Sequence, residues 1–128
     1  MEPQKVIVDT DIMIGLMKRD PRKVELTSDL QPSQMILTAV TVLELMQGAL
    51  NRRDLNKIIK AAESYDYLGL SYQIGTLAEG LIKKYTLSHD LRLPDALIAA
   101  TAIASRMALL TDNVKDYQFI PNLRLYRE

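Results

Sequence analysis

The chain has 128 residues and a mass of 14.5 kDa, of which 48% are hydrophobic and 25% charged. That balance excludes a disordered or fibrous protein, and the length suits one domain over 1–128 that buries roughly two-thirds of its unfolded surface. With 16 basic and 16 acidic side chains and no cysteine, attraction to nucleic acid must come from a local patch or a bound cation, and disulfides and thiolate metal sites are excluded.

Lys5 to Asp9 is a short β-branched run that reads as a strand. Thr10 and Asp11, both good helix N-caps, precede an apolar helix from Ile12 to Met17. No stretch approaches the ~18 apolar residues of a membrane span, and Val6-Ile7-Val8 is too short for a signal peptide, so the expectation is a soluble, cytoplasmic protein. Beyond Asp20-Pro21 a short helix is expected over 22–30, then a second strand over 35–40 behind Pro32. Thr41 opens a helix through Leu50, and Leu55, Ile58, Ile59 and Ala62 repeat at helical spacing over 51–64, giving a helical hairpin.

A third strand falls at 67–70. The clearest amphipathic pattern follows, with Ile74, Leu77, Ala78, Leu81, Ile82 and Tyr85 at i, i+3, i+4 and i+7. Pro94 starts a helix whose run from Ala96 to Ala104 is apolar all round and therefore buried on most faces. A fourth strand over 107–111, one helical turn over 113–117 and a fifth strand over 123–126 complete the chain. Strands alternating with helices predict a three-layer α/β fold with a largely parallel sheet.

Ligand sites in such sheets lie beyond the carboxyl ends of the strands, where strand order reverses. Asp9 and Asp11 fall at the end of the first strand, and Asp112, Asn113 and Asp116 just past the fourth. Glu44 lies one turn into the helix after the second strand, and Asp95 in the first turn of the buried helix. Each has a structural explanation taken singly: Asp11 as a cap, Glu44 in a capping box Thr41-x-x-Glu44, Asp95 beside a helix dipole. Jointly, carboxylates gathered at one sheet edge repel unless a cation neutralises them or their pKa values rise. With no cysteine and one histidine, an all-oxygen cluster selects Mg²⁺ or Mn²⁺.

Four segments carry a family resemblance: Val6-Ile7-Val8-Asp9-Thr10-Asp11, Thr41-Val42-Leu43-Glu44-Leu45, Leu93-Pro94-Asp95-Ala96-Leu97-Ile98-Ala99-Ala100-Thr101-Ala102, and Leu110-Thr111-Asp112-Asn113-Val114-Lys115-Asp116-Tyr117. In this order the chain resembles the PIN-domain family, especially its VapC-type toxins. The resemblance implies a three-layer α/β/α fold on five mainly parallel strands. It also implies a ribonuclease site in which Asp9, Glu44, Asp95 and an acid after the fourth strand hold Mg²⁺ or Mn²⁺. The family's Thr-x-Asn-x-x-Asp pattern matches Thr111, Asn113 and Asp116 and favours Asp116 as that acid, with Asp112 and Asn113 as neighbours. Thr10 and Thr111, and Asp11 as an alternative, surround the ligands. An RNA substrate, a cognate antitoxin in the acidic cleft and a homodimer are implied as well.

Other features weigh less. Ser88-His89-Asp90 holds the residue types of a hydrolase triad, but neighbours in sequence cannot converge on one proton path. Arg52, Arg53, Lys57, Lys60, Lys83, Lys84 and Arg92 form a solvated face or an RNA-backbone track. Seven aromatics, six Tyr and one Phe, are scattered and predict no stacking surface. Met13, Met17, Leu43 and Met46 are candidates for an exposed apolar patch serving a dimer or antitoxin. Two rival readings remain: a haloacid-dehalogenase-like phosphatase using Asp9-x-Asp11, weakened by Met13 and the short chain, and a phospho-receiver domain, which lacks an acceptor Asp after the third strand at Gly69-Leu70-Ser71.

Overall fold

The computed structural model describes residues 3–126. Four strands, β1 (Val6–Val8), β2 (Met35–Thr38), β3 (Asp66–Leu68) and β4 (Ala108–Leu110), form one parallel sheet in the order β3-β2-β1-β4. Val6 pairs with Met35 on one side and Ala108 on the other, and Ile36 with Asp66. Six helices surround it: α1 (Thr10–Met17), α2 (Pro21–Leu26), α3 (Ala39–Gln47), α4 (Arg52–Ala62), α5 (Tyr72–His89) and α6 (Leu93–Ser105).

The central strand is a continuous apolar run because both faces are covered; Val6, Ile7 and Val8 are fully buried. Ile7, Ile36 and Leu109 turn to one face, where α5 and α6 pack through Ile74, Ala78, Ile98 and Ala99. Val6, Val8, Met35, Leu37 and Leu110 turn to the other, under Ile12 and Met13 of α1, Leu45 of α3 and Ile58 of α4. The expected α/β/α layering follows from this period-two division of the strands.

The fifth strand expected over 123–126 is a single parallel bridge, Leu109 to Leu125, with Leu109 N–H donating to Arg124 O (2.9 Å) and Tyr126 N–H to Leu109 O (2.8 Å). In a parallel ladder alternate residues turn their backbone groups to alternate sides. A three-residue β4 flanked by β1 therefore offers its outer edge one residue only.

Helix starts also move. Asp9, rather than Thr10 or Asp11, caps α1, its carboxylate accepting from Thr10 N–H. β2 ends at Thr38, which caps α3 by accepting from Thr41 N–H at 3.1 Å, so Thr41 lies inside the helix and makes no capping box with Glu44. α2 begins at Pro21 behind the cap Asp20 and stops at Leu26, where the Thr27 and Ser28 hydroxyls take up carbonyls of the last turn. β3 is one residue early, at 66–68. Ser71 caps α5, which runs through His89 rather than leaving it in a loop, and ends on Asp90 in the left-handed region (φ 54°).

The chain steps from β1 outward to β2 and β3, then returns to β4 on the opposite side of β1. That reversal opens a crevice beyond Val8 and Leu110, and the residues that follow these two strands are Asp9 and Thr111. No helix among the described residues is long and apolar enough to cross a membrane.

Candidate active site

Asp9 sits at the floor of the crevice, 4% exposed. Its Oδ1 accepts from Thr10 N–H (2.8 Å) and its Oδ2 from the Thr111 hydroxyl (2.8 Å). Thr111 Oγ1 in turn accepts from Asn113 N–H at 3.0 Å, which fixes the turn after β4. Asp95 is delivered by the first turn of α6. The Tyr117 phenol lies 3.1 Å from Asp9 Oδ1 and 3.0 Å from Asp95 Oδ1, so these two oxygens are no further apart than the sum of the legs, 6.1 Å.

Glu44 is held from α1 and α3 together. The Thr10 hydroxyl donates its one proton to Glu44 Oε1 (2.7 Å), so at the 2.9 Å contact between Thr10 Oγ1 and Thr41 Oγ1 the proton comes from Thr41. Thr38 Oγ1 donates to Thr41 Oγ1 at 3.4 Å. Three hydroxyls thus point one way, toward the carboxylate, and each polarises the next.

Asp11 lies on the first turn of α1, where its Oδ2 accepts from Asp112 N–H (3.0 Å) and its buried Oδ1 has no hydrogen-bond partner. Asp112 turns its own carboxylate away to α2, taking Arg22 Nη2 at 2.9 Å, Arg22 Nε at 3.2 Å and Lys23 Nζ at 3.0 Å. Asp116 is exposed, at the end of a short 3-10 turn over Val114–Asp116.

Burial pushes the Asp9 carboxyl up to about 7, and the charge of Asp11 adds to it, against hydrogen bonds from Thr111, Thr10 N–H and Tyr117. Asp11 is raised chiefly by burial. Asp95 is also raised, first by burial and then by the charges of Asp116, Glu44 and Asp11. These three acids therefore act on Asp95 across the crevice, while Asp9 meets it through Tyr117. Asp112 is lowered by its bonds to Arg22 and Lys23. Tyr117 is raised well above an ordinary phenol, by burial and by the two carboxylates, and stays a neutral donor.

The donor set is all oxygen, with one phenol proton serving two raised carboxyls and a buried Asp11 oxygen unpartnered, and these features fit a hard divalent cation. Among the described residues, no three histidine, aspartate or glutamate side chains already stand arranged to hold a metal ion. The crevice is charged for a cation without being a finished cage.

Of the acids that sequence reading gathers, Asp9 and Asp95 meet at Tyr117, and Asp11, Glu44 and Asp116 lie near enough to raise Asp95, whereas Asp112, expected as a neighbour of the ligands, is turned to Arg22 and Lys23. Sequence reading misses Tyr117, one of six tyrosines and 1% exposed; its place next to Asp116 was the only local signal. It also misses Thr41, Arg22 and Lys23, whose contacts cross between elements.

The chain belongs to the PIN domain family, which it matches over residues 6–118. Within that family it is similar to VapC proteins. It is 30% identical to "Ribonuclease VapC1" of Rickettsia felis over 130 residues, covering 94% of this chain and 93% of that one. It is 29% identical to "Ribonuclease VapC1" of Haemophilus influenzae over 128 residues, covering 92% and 93%. Among solved structures, a toxin–antitoxin complex from Klebsiella pneumoniae superposes with a TM-score of 0.75 at 28% identity, covering 93% of this chain and 95% of that one. The VapBC-1 structure from nontypeable Haemophilus influenzae gives 0.74 at 28%, covering 96% and 97%.

Proposed function

We propose that this chain is a cytoplasmic, Mg²⁺- or Mn²⁺-dependent endoribonuclease and the toxin of a toxin–antitoxin pair. The observation that carries the reading is the meeting of Asp9 and Asp95 at one phenol in the switch-point crevice, with Glu44 and Asp116 near enough for their charges to raise Asp95. The similarity to VapC ribonucleases supports the substrate class.

Asp9 and Asp95 are the principal candidate ligands, with Asp116 ahead of Asp112 because Arg22 and Lys23 already hold the Asp112 carboxylate. A bound divalent ion lowers the pKa of water and offsets charge on phosphate oxygens. Glu44, fixed by the Thr10 hydroxyl, accepts the proton of the attacking water as its oxygen bonds to phosphorus and the bond to the leaving ester oxygen breaks. Thr111 keeps Asp9 oriented.

The antitoxin's place is the groove beside Glu44, lined by Ile14, Met17, Leu45 and Ile58. Met17 is 40% exposed there, and Leu43, beside Glu44 in the chain, is 58% exposed, whereas Met13 is buried in the core and leaves the expected patch. The active unit is a homodimer. The phosphatase and receiver readings find no support, since Asp112 serves α2 and no acid follows β3.

Incubating the protein with structured and single-stranded RNAs in Mg²⁺, Mn²⁺ or EDTA, beside Asp9→Asn and Asp95→Asn, tests the proposal. Cleavage should need the ion and fall by about two to three orders of magnitude in either variant. Equal cleavage in EDTA and in both variants would sink it.

A further inference from the structure

Two rings of α5, Tyr85 and His89, meet a third, Phe119, from the segment after β4. His89, the last residue of α5, stacks on Phe119 with centroids 4.2 Å apart and planes 18° from parallel. Tyr85, one turn earlier, meets Phe119 edge-on at 5.1 Å and His89 edge-on at 5.5 Å. Ser88 Oγ lies 2.8 Å from His89 Nδ1 and steadies the imidazole, and Lys84 Nζ stands 5.5 Å over the Tyr85 ring. Tyr85 and Phe119 are half-buried with their inner sides against the core, while His89 is exposed, so the cluster is rooted in the core and opens to solvent at the imidazole.

Its position relative to the acids follows from the chain. α5 and α6 form a tightly connected helical hairpin, so the end of α5 that carries His89 lies beside the start of α6 that carries Asp95. Phe119 follows Tyr117 by two residues, a reach of at most about 7 Å between Cα atoms, and Tyr117 touches both Asp9 and Asp95. The stack is therefore built by the end of α5, which a short connection joins to the α6 turn that delivers Asp95, and by the segment just after Tyr117.

We propose that His89, Phe119 and Tyr85 form a stacking platform for an unpaired nucleobase of the RNA, one to a few nucleotides from the scissile phosphate. An aromatic face accepts any base, and single-stranded RNA is bound by such faces flanked by cations. Here Lys84 stands over Tyr85, and the exposed Arg92 follows His89 by three residues; Arg92 pairs with the exposed Asp90, at 3.2 Å, an ion pair that a phosphate can displace. The platform rests on the ribonuclease reading for its ligand and sets which single-stranded segments are held in register for cleavage.

The test uses single-stranded oligoribonucleotides carrying 2-aminopurine at successive positions, titrated in EDTA so that no turnover occurs. One position should lose fluorescence on binding. His89→Ala and Phe119→Leu should abolish that quench and weaken binding about 5- to 100-fold, while Phe119→Tyr retains both. With divalent ion present, the loss should appear as a raised KM. Unchanged affinity in both variants, or no quench at any position, overturns the platform. So does a shift of either variant to a smaller oligomer in sedimentation, which would make the rings an interface between copies. If the wild-type protein binds with quenching yet cleaves no RNA, the ribonuclease reading fails and the platform stands.

Discussion

Asp9 and Asp95 share a single hydroxyl proton: the Tyr117 phenol is 3.1 Å from one carboxylate and 3.0 Å from the other. A phenol has one hydrogen to give. The second contact is satisfied only when one acid carries a proton, a state that burial of the two carboxyls favours against the hydrogen bonds from Tyr117.

Tyr117→Phe should therefore keep the fold, because the ring stays packed, but remove the side-chain donor that the two acids share. In EDTA the loss should be about 1–3 kcal/mol in urea unfolding, the cost of leaving buried carboxylates short of a donor. Added Mn²⁺ should narrow that difference, and RNA cleavage should fall by about tenfold or more through misplaced ligands.

The raised Asp9 carboxyl fixes a pH trend for the cation-free protein. Its folded pKa of about 7 lies above its ordinary 3.8, so between these values the native state holds a proton that the unfolded chain has released. Stability from this group is full below about pH 4 and is lost as pH rises through 7. Thermal melts in EDTA should fall over that window, and Asp9→Asn should flatten the slope. A slope unchanged by the substitution would contradict the assignment to Asp9.

Asp112 should behave in the opposite sense to Asp9 and differently from Asp116. Its pKa is lowered by Arg22 and Lys23, so its contribution is present above the usual carboxylate range and disappears as pH falls through the lowered value. Asp112→Asn should cost a few degrees of melting temperature at neutral pH, less at high salt, and change cleavage only a few-fold. Asp116→Asn should leave the melt nearly unchanged and weaken divalent-ion dependence about 10- to 100-fold. Measuring both variants across Mn²⁺ concentration separates the two acids.

Gly15 on α1 is a packing requirement. A Cβ there would run into Cβ and Cγ of Lys23 on α2, the rooted part of that side chain rather than its mobile end. Alanine is the better helix former by about 1 kcal/mol, yet Gly15→Ala should destabilise by about 1–3 kcal/mol because α2 must move. The same shift should loosen Lys23 from Asp112, so the salt sensitivity contributed by that pair should diminish with it.

Much of the fold was legible because the information was local. Val6-Ile7-Val8, a β-branched run, read as a strand, and the Ala-rich run of α6, apolar all round, read as a helix buried on most faces. The acids Asp9, Glu44 and Asp95 stood out by following strands or opening helices. Boundaries failed where two residues competed for one cap: Thr38 and Thr41 are both good caps, and the sheet decided for Thr38 by ending β2 there. The fifth strand failed because pairing depends on how many residues of β4 face its outer edge.

The amino-acid order by itself determined the alternation of strands and helices, the buried faces and the placing of acids at strand ends, since these depend on periodicities of two and 3.6 residues and on neighbours along the chain. Only the tertiary structure decided which side chains meet. It gave Tyr117 to Asp9 and Asp95, turned Asp112 over to Arg22 and Lys23, and gathered Tyr85, His89 and Phe119, because contacts between distant segments are fixed by sheet order and helix packing.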